Sequence, residues 1–424
     1  MEEHFHIVVV GSGPAGLSAA GRAAFYDKKK RKKNPSHKNT HLLLESFDKP
    51  AKTIQSYQKG KYVMAEPGFL DLRSDFEFEA SSRESILGGW AKRVKKERVN
   101  IRYKTEVINI SGSKGKFQLV LKGGSVVHAK HVVLAIGLEG NPRKLGVPGE
   151  DSPIVQYTLD DPGAYRDETI VVVGAGDSAI ENALALVKQN NVIILNRRDE
   201  FSRAKEGNLN AILAAINDPK TPLSCYYNTS VKQLTPSDKD GVYHLVLNTA
   251  DGEESVDCER IIARLGGVPP RGFVESIGVK FPNDKPDAIP DLSAQYESNV
   301  PGVYIIGSLA GYPLIKQAMN QGYDVVEYIY GHAIKPADHP LLELQFKLLP
   351  YLKEVEDLVS LFQQRIPMFR EMNSLQFREL VIESNILVSY QEGALLSDAN
   401  KASEKLQKKL AKLKIKEIEK PVEK

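Results

Sequence analysis

FHIVVVGSGPAG at residues 5–16 decides the fold, and TIVVVGAGDSA at residues 169–179 repeats its pattern. Each stretch begins with a continuous apolar run, which is typical of a buried parallel strand. Each then enters G-x-G-x-x-G or G-x-G-x-x-A. The first glycine permits a tight turn, the second lets the backbone approach a pyrophosphate, and the third position lets the next helix pack on the strand. The sequence therefore predicts two dinucleotide-binding sites.

The order of the remaining patterns predicts an α/β protein with two Rossmann-like, three-layer domains, the second inserted in the first. Further buried strands are expected at 41–45 (HLLLE), 131–137 (HVVLAIG) and 192–198 (VIILNRR). A late strand, turn and helix, VYIIGSLAGYPLIKQAMNQG at 303–322, returns the chain to the first domain. The expected division is 1–139 for the first domain, 140–266 for the inserted domain, 267–332 for the rest of the first domain, and 333–424 for a helical extension with a Lys-rich tail.

The first glycine motif is followed by an acidic residue at the end of the next strand, Glu45. Such a carboxylate accepts hydrogen bonds from an adenosine ribose, while the pyrophosphate lies at the helix N-terminus. Glu45 comes later than the usual spacing of about 20 residues, and we expect the basic stretch 27–40 to be an inserted loop. Its run Lys28–Lys33 is expected to be solvated, with a docking patch as the alternative. The first-site candidates are Gly11, Ser12, Gly13, Pro14, Ala15, Gly16 and Glu45.

The second motif differs at the end of its next strand, where Asn196, Arg197 and Arg198 replace the acidic residue of an NAD site. A carboxylate there would repel a 2′-phosphate, whereas two guanidinium groups would hold it. The sequence therefore predicts NADPH at the second site. The candidates are Gly174, Gly176, Asp177, Ser178, Ala179, Asn196, Arg197 and Arg198.

Taken together, these motifs make residues 5–332 resemble the thioredoxin-reductase-like flavoproteins. The resemblance is carried by GSGPAG (11–16), VVLAIGLEGNP (132–142), VVVGAGDSAIENAL (171–184), LNRRDEF (195–201) and VPGVYIIGSLAGYPLIKQAMNQG (300–322). It implies FAD in the first domain, NADPH in the second, rotation of one domain against the other, and a homodimer. It also implies that the helix beginning near Lys316 points its N-terminus at the flavin. The additional FAD candidates are Ala135, Gly137, Gly307, Ser308, Gln317 and Ala318.

The chain also departs from that family at several positions. Segment 155–169, where thioredoxin reductases carry Cys-x-x-Cys, contains no cysteine, and Ala15 stands where bacillithiol-disulfide reductases carry one. Segment 46–68 lacks the Gly-Gly-Gln loop of thioredoxin-reductase-like ferredoxin reductases, and the signature of flavin monooxygenases is missing. Ser308 replaces the aspartate that binds the ribityl chain of FAD. These departures predict an oxidoreductase that has no dithiol of its own.

We therefore expect an FAD-dependent NADPH oxidoreductase that moves hydride from NADPH to FAD and electrons onward to a redox protein or small molecule. Hydride transfer to flavin needs no acid–base pair, so no catalytic side chain is named. Two alternatives stay open: an NADPH-sensing flavoprotein module with little turnover, and a disulfide reductase that uses Cys225 and Cys258.

Composition narrows the function classes further. A net charge of +3 on 424 residues gives no reason to expect nucleic acid. The histidines show no metal-ligand spacing, and two cysteines cannot form a four-cysteine site. No apolar run is long enough for a membrane span, and the acidic N-terminus does not resemble a signal peptide. With only two cysteines in the chain, a reducing cytoplasm is the expected compartment.

The C-terminal segment shows a second resemblance. Residues 365–396 (RIPMFREMNSLQFRELVIESNILVSYQEGALL) resemble the opening helix and first strand of a cyclic-nucleotide-binding domain. No glycine-rich phosphate cassette follows Gly393. We expect either a truncated domain that binds no nucleotide or an unrelated helical appendage.

Overall fold

The computed structural model describes residues 3–138, 142–202, 204–285, 288–347, 354–370, 372 and 374–384. Within it the chain forms two compact units, Met1–Ile334 and Lys335–Lys424. The strands are β1 (Glu3–Val10), β2 (His41–Leu44), β3 (Tyr62–Val63), β4 (Ser81–Ser82), β5 (Ile101–Arg102), β6 (Val107–Ser111), β7 (Phe117–Leu121), β8 (Val126–Leu134), β9 (Val155–Gln156), β10 (Thr169–Val173), β11 (Asn191–Leu195), β12 (Leu223–Tyr226), β13 (Ser230–Pro236), β14 (Tyr243–Thr249), β15 (Gly252–Cys258), β16 (Arg260–Ala263) and β17 (Val303–Ile305). The helices are α1 (Pro14–Lys33), α2 (Lys52–Gln55), α3 (Arg83–Glu97), α4 (Asp177–Leu186), α5 (Glu206–Asn217), α6 (Arg271–Ser276), α7 (Ile315–Ile329), α8 (His339–Phe346), α9 (Val355–Arg365), α10 (Pro367–Arg370) and α11 (Ser374–Ile382).

The first sheet is built on β1, which pairs in parallel with β2 on one side and β8 on the other. β5 extends the sheet beyond β2, and β17 pairs in parallel with the carboxyl half of β8. β6 and β7 join the amino half of β8 as an antiparallel meander. The carboxyl ends of β1, β2, β8 and β17 therefore meet at one edge of the sheet, which we call the carboxyl edge.

Helices α1, α3 and α7 cover one face of this sheet. The backbones of α1 and α7 lie unusually close to each other. A Cβ on Gly322 would clash with the carbonyl oxygen of Ala15 and lie 2.8 Å from the amide nitrogen of Ala19. The hydroxyl of Ser18 donates to the carbonyl of Met319 at 2.6 Å. Glycine at position 322 therefore lets the two helices begin side by side at the carboxyl edge.

The second sheet repeats the plan with β12, β11, β10, β16 and β9, all in parallel. An antiparallel sheet of β13, β14 and β15 packs on one side of it. All these strands lie in the chain between β8 and β17 of the first sheet. The predicted fold class, two Rossmann-like domains with the second inserted in the first, is confirmed. The exact limits 1–139, 140–266 and 267–332 stay predictions.

The basic stretch after the first helix differs from the expectation. α1 continues to Lys33, so residues 27–33 are helical, and only 34–40 connect α1 to β2. Lysine and arginine are good helix formers, and their charges favour the helix C-terminus. The buried carboxylate of Asp27 accepts hydrogen bonds from His41 Nδ1 at 2.6 Å and from the amide of Thr40 at 2.8 Å. This link fixes the end of α1 to the start of β2.

The second unit is helical in its described part, which comprises α8, α9, α10 and α11. Its buried Arg378 donates to the carboxylates of Asp338 (2.6 and 2.7 Å) and Glu356 (2.9 Å). Residues 385–396 of the segment that resembles a cyclic-nucleotide-binding domain, and the Lys-rich tail, lie outside the described residues. Within the described part of the chain, no helix combines the length and apolar character that a membrane crossing needs.

We predict that Gly322→Ala lowers the free energy of unfolding by about 1–3 kcal/mol, because the added methyl group forces α1 and α7 apart. Gly88→Ala is the matched control: Gly88 lies in α3, and its Cβ would meet nothing within 4 Å. That change should leave stability equal or raise it by about 0.5–1 kcal/mol. Urea unfolding measures the change in the free energy of unfolding for each variant. Equal changes in the two variants would contradict the claim that α1 and α7 are too close for a side chain at position 322.

Candidate functional site

The first glycine motif forms a turn between β1 and α1 at the carboxyl edge. Gly11 has φ +97°, and a Cβ there would lie 2.6 Å from the carbonyl oxygen of Ala135. A Cβ on Gly16 would clash with the carbonyl of Gly11, so this position packs helix on strand. At Gly13 the nearest atom to a Cβ is 3.9 Å away. The space beside Gly13 and the first turn of α1 can therefore admit a phosphate group.

Glu45 lies next to this turn, just after β2, and is buried. Its Oε2 accepts hydrogen bonds from the amide and the hydroxyl of Ser12, at 2.8 and 2.5 Å. Its Oε1 accepts from the amide of Phe47 at 2.8 Å. These donors hold the carboxylate in one orientation beside the glycine turn, where a ribose bound along α1 would meet it.

The late element brings a third group of residues to the same edge. Gly307 follows β17 with φ +76°, and its amide donates to the side-chain oxygen of Gln321 at 2.7 Å. The side-chain nitrogen of Gln321 is buried without a hydrogen-bond partner among the described residues. A buried amide donor beside Gly307 fits a ligand with acceptor groups at this position.

The structure thus brings the first-site candidates to one edge, from four separate parts of the chain. Gln317 and Ala318 are buried in the first turn of α7, and Ser308 is half-buried after β17. The set gathered at this edge comprises Gly11, Ser12, Gly13, Pro14, Ala15, Gly16, Glu45, Ala135, Gly137, Gly307, Ser308, Gln317 and Ala318.

The second glycine motif opens onto a cleft of about 580 Å³. Gly174 has φ +132°, and a Cβ there would lie 2.5 Å from the carbonyl of Arg264, whereas Gly176 has open space around it. All predicted second-site residues line this cleft: Gly174, Gly176, Asp177, Ser178, Ala179, Asn196, Arg197 and Arg198.

Asn196, Arg198 and Asp177 of this cleft make hydrogen bonds that fix different parts of its wall. Asn196 is buried and accepts from the amide of Arg198 at 3.0 Å, which shapes the turn after β11. The guanidinium of Arg198 donates to the hydroxyl of Ser202 at 2.8 Å. Asp177 accepts from the amide of Lys205 at 2.9 Å. Asp177 therefore stabilises the N-terminus of α5. The glycine motif alone did not predict this contact.

Sequence reasoning missed several residues of this cleft. Arg264 and the glycines after it follow β16, the neighbour of β10, so the rule that carboxyl strand ends share an edge could have found them. Lys52, Thr53 and Ser56 come from the first domain and line the same cleft. No sequence signal connects them to a motif more than a hundred residues away.

Polar contacts join segment 58–83 of the first domain to the inserted domain. Four side-chain contacts are Lys59–Asp161 (2.9 Å), Lys61–Glu181 (2.5 Å), Lys205–Glu66 (2.8 Å) and Arg83–Asp160 (3.0 Å). In addition, Asn182 donates to the side-chain oxygen of Gln58 at 2.8 Å. This interface is ionic and partly exposed, and exposed ion pairs are individually weak.

The two cysteines lie on strands of the inserted domain, outside both glycine turns. Cys225 is in β12 and Cys258 ends β15, two residues before β16. In the sheet, β11 and β10 lie between β12 and β16. Because neighbouring strands are about 4.8 Å apart, three spacings put the Cα atoms of Cys225 and Cys258 on the order of 14 Å apart. A disulfide needs Cα atoms within about 7 Å.

Their environment also disfavours thiolate chemistry. Burial raises the pKa of Cys225 to about 11 and, together with the nearby Glu259 and Asp257 carboxylates, raises the pKa of Cys258 to about 12. The reactive form of cysteine is the thiolate. Across the described residues, no group of His, Cys, Asp and Glu side chains is placed to hold a metal ion.

Comparison with known proteins agrees with this architecture. A family model described as pyridine nucleotide-disulphide oxidoreductase matches residues 8–307. The ferredoxin–NADP reductase of Ignicoccus hospitalis is 30% identical over 319 residues, 74% of this chain and 94% of that protein. Two solved structures share the fold: bacillithiol disulfide reductase of Staphylococcus aureus (TM-score 0.65, 22% identity, 77% of this chain and 98% of that one) and thioredoxin reductase of Lactococcus lactis (TM-score 0.61, 22% identity, 77% and 98%).

The unusual sequence of segment 46–68 therefore does not separate the chain from proteins named ferredoxin–NADP reductase. The similarity to the Ignicoccus protein extends over nearly that protein's full length. The sequence of this one loop differs, but the similarity to the relative covers 319 residues of the chain.

Proposed function

The chain belongs to the pyridine nucleotide-disulphide oxidoreductase family, and on that premise we propose that it is an FAD-dependent NADPH oxidoreductase. When bound, the two cofactors supply the redox chemistry: hydride passes from NADPH to FAD, and electrons then pass to a separate acceptor. The observation that carries the proposal is the shared cleft, in which Lys52, Thr53 and Ser56 of the first domain face the second glycine motif. The amide of Ala51, which precedes Lys52, donates to the carbonyl of Ser12 in the first glycine turn at 2.9 Å. The segment that lines the second cleft is therefore joined to the first site, which supports transfer from a nicotinamide to a flavin.

FAD would be held by the residues gathered at the carboxyl edge of the first sheet. Gly13 leaves room for the pyrophosphate at the N-terminus of α1, and Glu45 is oriented to accept from the ribose. The orphaned side-chain amide of Gln321 and the hydroxyl of Ser308 offer hydrogen bonds near Gly307. The N-terminus of α7, with Gln317 and Ala318, adds a positive dipole that favours negative charge on the ligand.

NADPH would be held in the 580 Å³ cleft. Gly176 leaves the backbone open to the pyrophosphate at the start of α4, and the exposed guanidiniums of Arg197 and Arg198 lie where a 2′-phosphate would bind. Because a guanidinium pairs well with phosphate oxygens, these two residues favour NADPH over NADH.

For the acceptor we propose a small redox protein such as a ferredoxin. Support comes from the relative's name, ferredoxin–NADP reductase, and from the cysteines: Cys258 is buried, Cys225 is half-buried, and the two are too far apart to act as a dithiol. Electrons would then leave the flavin directly. A homodimer and domain rotation belong to the same proposal and rest on the family resemblance. A cytoplasmic location is proposed because the chain contains only two cysteines, as is common in a reducing compartment.

Replacing either Arg197 or Arg198 by alanine should lower the preference for NADPH over NADH by about 10- to 100-fold, and replacing both should lower it further. A hydrogen bond to a charged group contributes about 1.5–3 kcal/mol, and each 1.4 kcal/mol is about tenfold. The ratio of kcat/KM for the two nucleotides is the measurement. Arg166→Ala is the control, since Arg166 is exposed in the same domain and does not line the cleft. An unchanged ratio in the double variant would refute the phosphate-clamp assignment.

The double variant Cys225→Ser, Cys258→Ser should reduce a ferredoxin with NADPH at a rate within about twofold of the wild type. The two thiols are too far apart to form a disulfide, and their raised pKa values keep them from forming the thiolate that electron relay requires. Reduction of ferredoxin is followed by its absorbance under anaerobic conditions. Neither protein should reduce a disulfide substrate. Disulfide reduction by the wild type that disappears in the double variant would return the chain to the disulfide reductases.

A further inference from the structure

The edge of the first sheet opposite the cofactors carries a dense positive charge. α1 and α3 each follow the usual course back along the sheet, so their C-terminal ends lie together, and Lys28 Nζ contacts Glu97 Oε2 at 2.9 Å. We call this surface the basic face. It comprises Lys28, Lys29, Lys30, Arg31, Lys32 and Lys33 of α1, Lys38 of the following loop, and Lys92, Lys95, Lys96 and Arg98 at the end of α3.

Little nearby negative charge balances the basic face. Asp27 and Glu97 are buried, and the exposed Glu77 is matched by Arg93. Among the described residues, Lys29, Lys32, Lys33 and Lys96 are exposed and have no carboxylate partner. The surface therefore presents a concentrated positive field although the whole chain carries a net charge of only +3.

Helix capping does not require so many cations. The dipole of a helix favours positive charge only within the last turn. Here six consecutive basic residues extend over more than one turn of α1 and point in all directions around it. The tight link from Asp27 to Thr40 and His41 holds this helix end rigidly in place.

The position of the basic face separates it from electron transfer. α1 has 20 residues, so its C-terminus lies about 30 Å from the glycine turn at its N-terminus. An acceptor that binds here would be remote from the flavin. The partner of this face is therefore something other than the electron acceptor.

We propose that the basic face is a docking surface for an anionic lipid bilayer. A bilayer with acidic headgroups attracts clusters of lysine without needing shape complementarity. Protein interfaces, in contrast, are depleted in lysine and depend on aromatic and arginine anchors. The basic face is mostly lysine, and the exposed ring nearest to it on α1, Phe25, lies under the guanidinium of Arg22. Single-stranded nucleic acid likewise requires stacking side chains.

Vesicle co-sedimentation tests the proposal at physiological salt, with phosphatidylcholine alone and with added phosphatidylserine. The full-length chain should bind only the vesicles that contain phosphatidylserine. Changing Lys29, Lys32, Lys33 and Lys96 to glutamine should lower partitioning by at least about tenfold, since each lysine near such a surface contributes up to about fivefold. The matched control changes Lys116, Lys188, Lys220 and Lys239, which are exposed elsewhere, to glutamine and should bind like the wild type.

A basic-face variant that binds phosphatidylserine vesicles like the wild type would overturn the proposal, and so would three further results. The first is a wild type that ignores phosphatidylserine, and the second is an equal loss of binding in the control variant, which would show a response to net charge alone. The third is tighter binding to polyglutamate or single-stranded RNA than to the vesicles. Cofactor content and NADPH oxidation should be unchanged in both variants, because neither set of lysines lies in the glycine-motif sites, and this confirms that each variant is folded.

Discussion

The close approach of α1 and α7 is the contact on which the first domain depends. These helices belong to opposite ends of the unit, yet Gly322 lets the backbone of α7 rest against Ala15 and Ala19. The N-termini of α1 and α7 consequently lie side by side at the carboxyl edge. The first glycine turn, Glu45 and Gly307 lie at the same edge. Two helix dipoles and the glycine turn converge on one region, which is an arrangement that favours a long anionic ligand.

The inserted domain uses the same construction but is joined to the first by a different kind of interface. Its own core is apolar, whereas its contacts with segment 58–83 are ion pairs and hydrogen bonds, such as Lys61–Glu181 and Lys205–Glu66. Lys205–Glu66 is exposed, and an exposed ion pair is individually weak, whereas Lys61–Glu181 is half-buried. A polar interface of this kind is typical of two domains that fold separately within one chain.

Prediction from sequence succeeded where a backbone requirement dictates the residue. Gly11 and Gly174 have positive φ angles and touch neighbouring carbonyls, so the motif reports the turn directly. It failed for α1, because a charged run can continue a helix as readily as form a loop when a buried residue such as Asp27 anchors it. Lys52 in the second cleft and the orphaned amide of Gln321 could not be found, since both depend on contacts between distant parts of the chain.

Anaerobic rapid mixing of the flavin-loaded protein with NADPH tests the central claim most directly. If the shared cleft brings nicotinamide to flavin, the visible flavin absorbance should decrease in a single-turnover phase. That phase should slow when deuterium occupies the transferred position of NADPH, because the carbon–hydrogen bond is broken in it. A flavin that stays oxidised while NADPH is bound would contradict the account and favour a module that senses NADPH without turning it over.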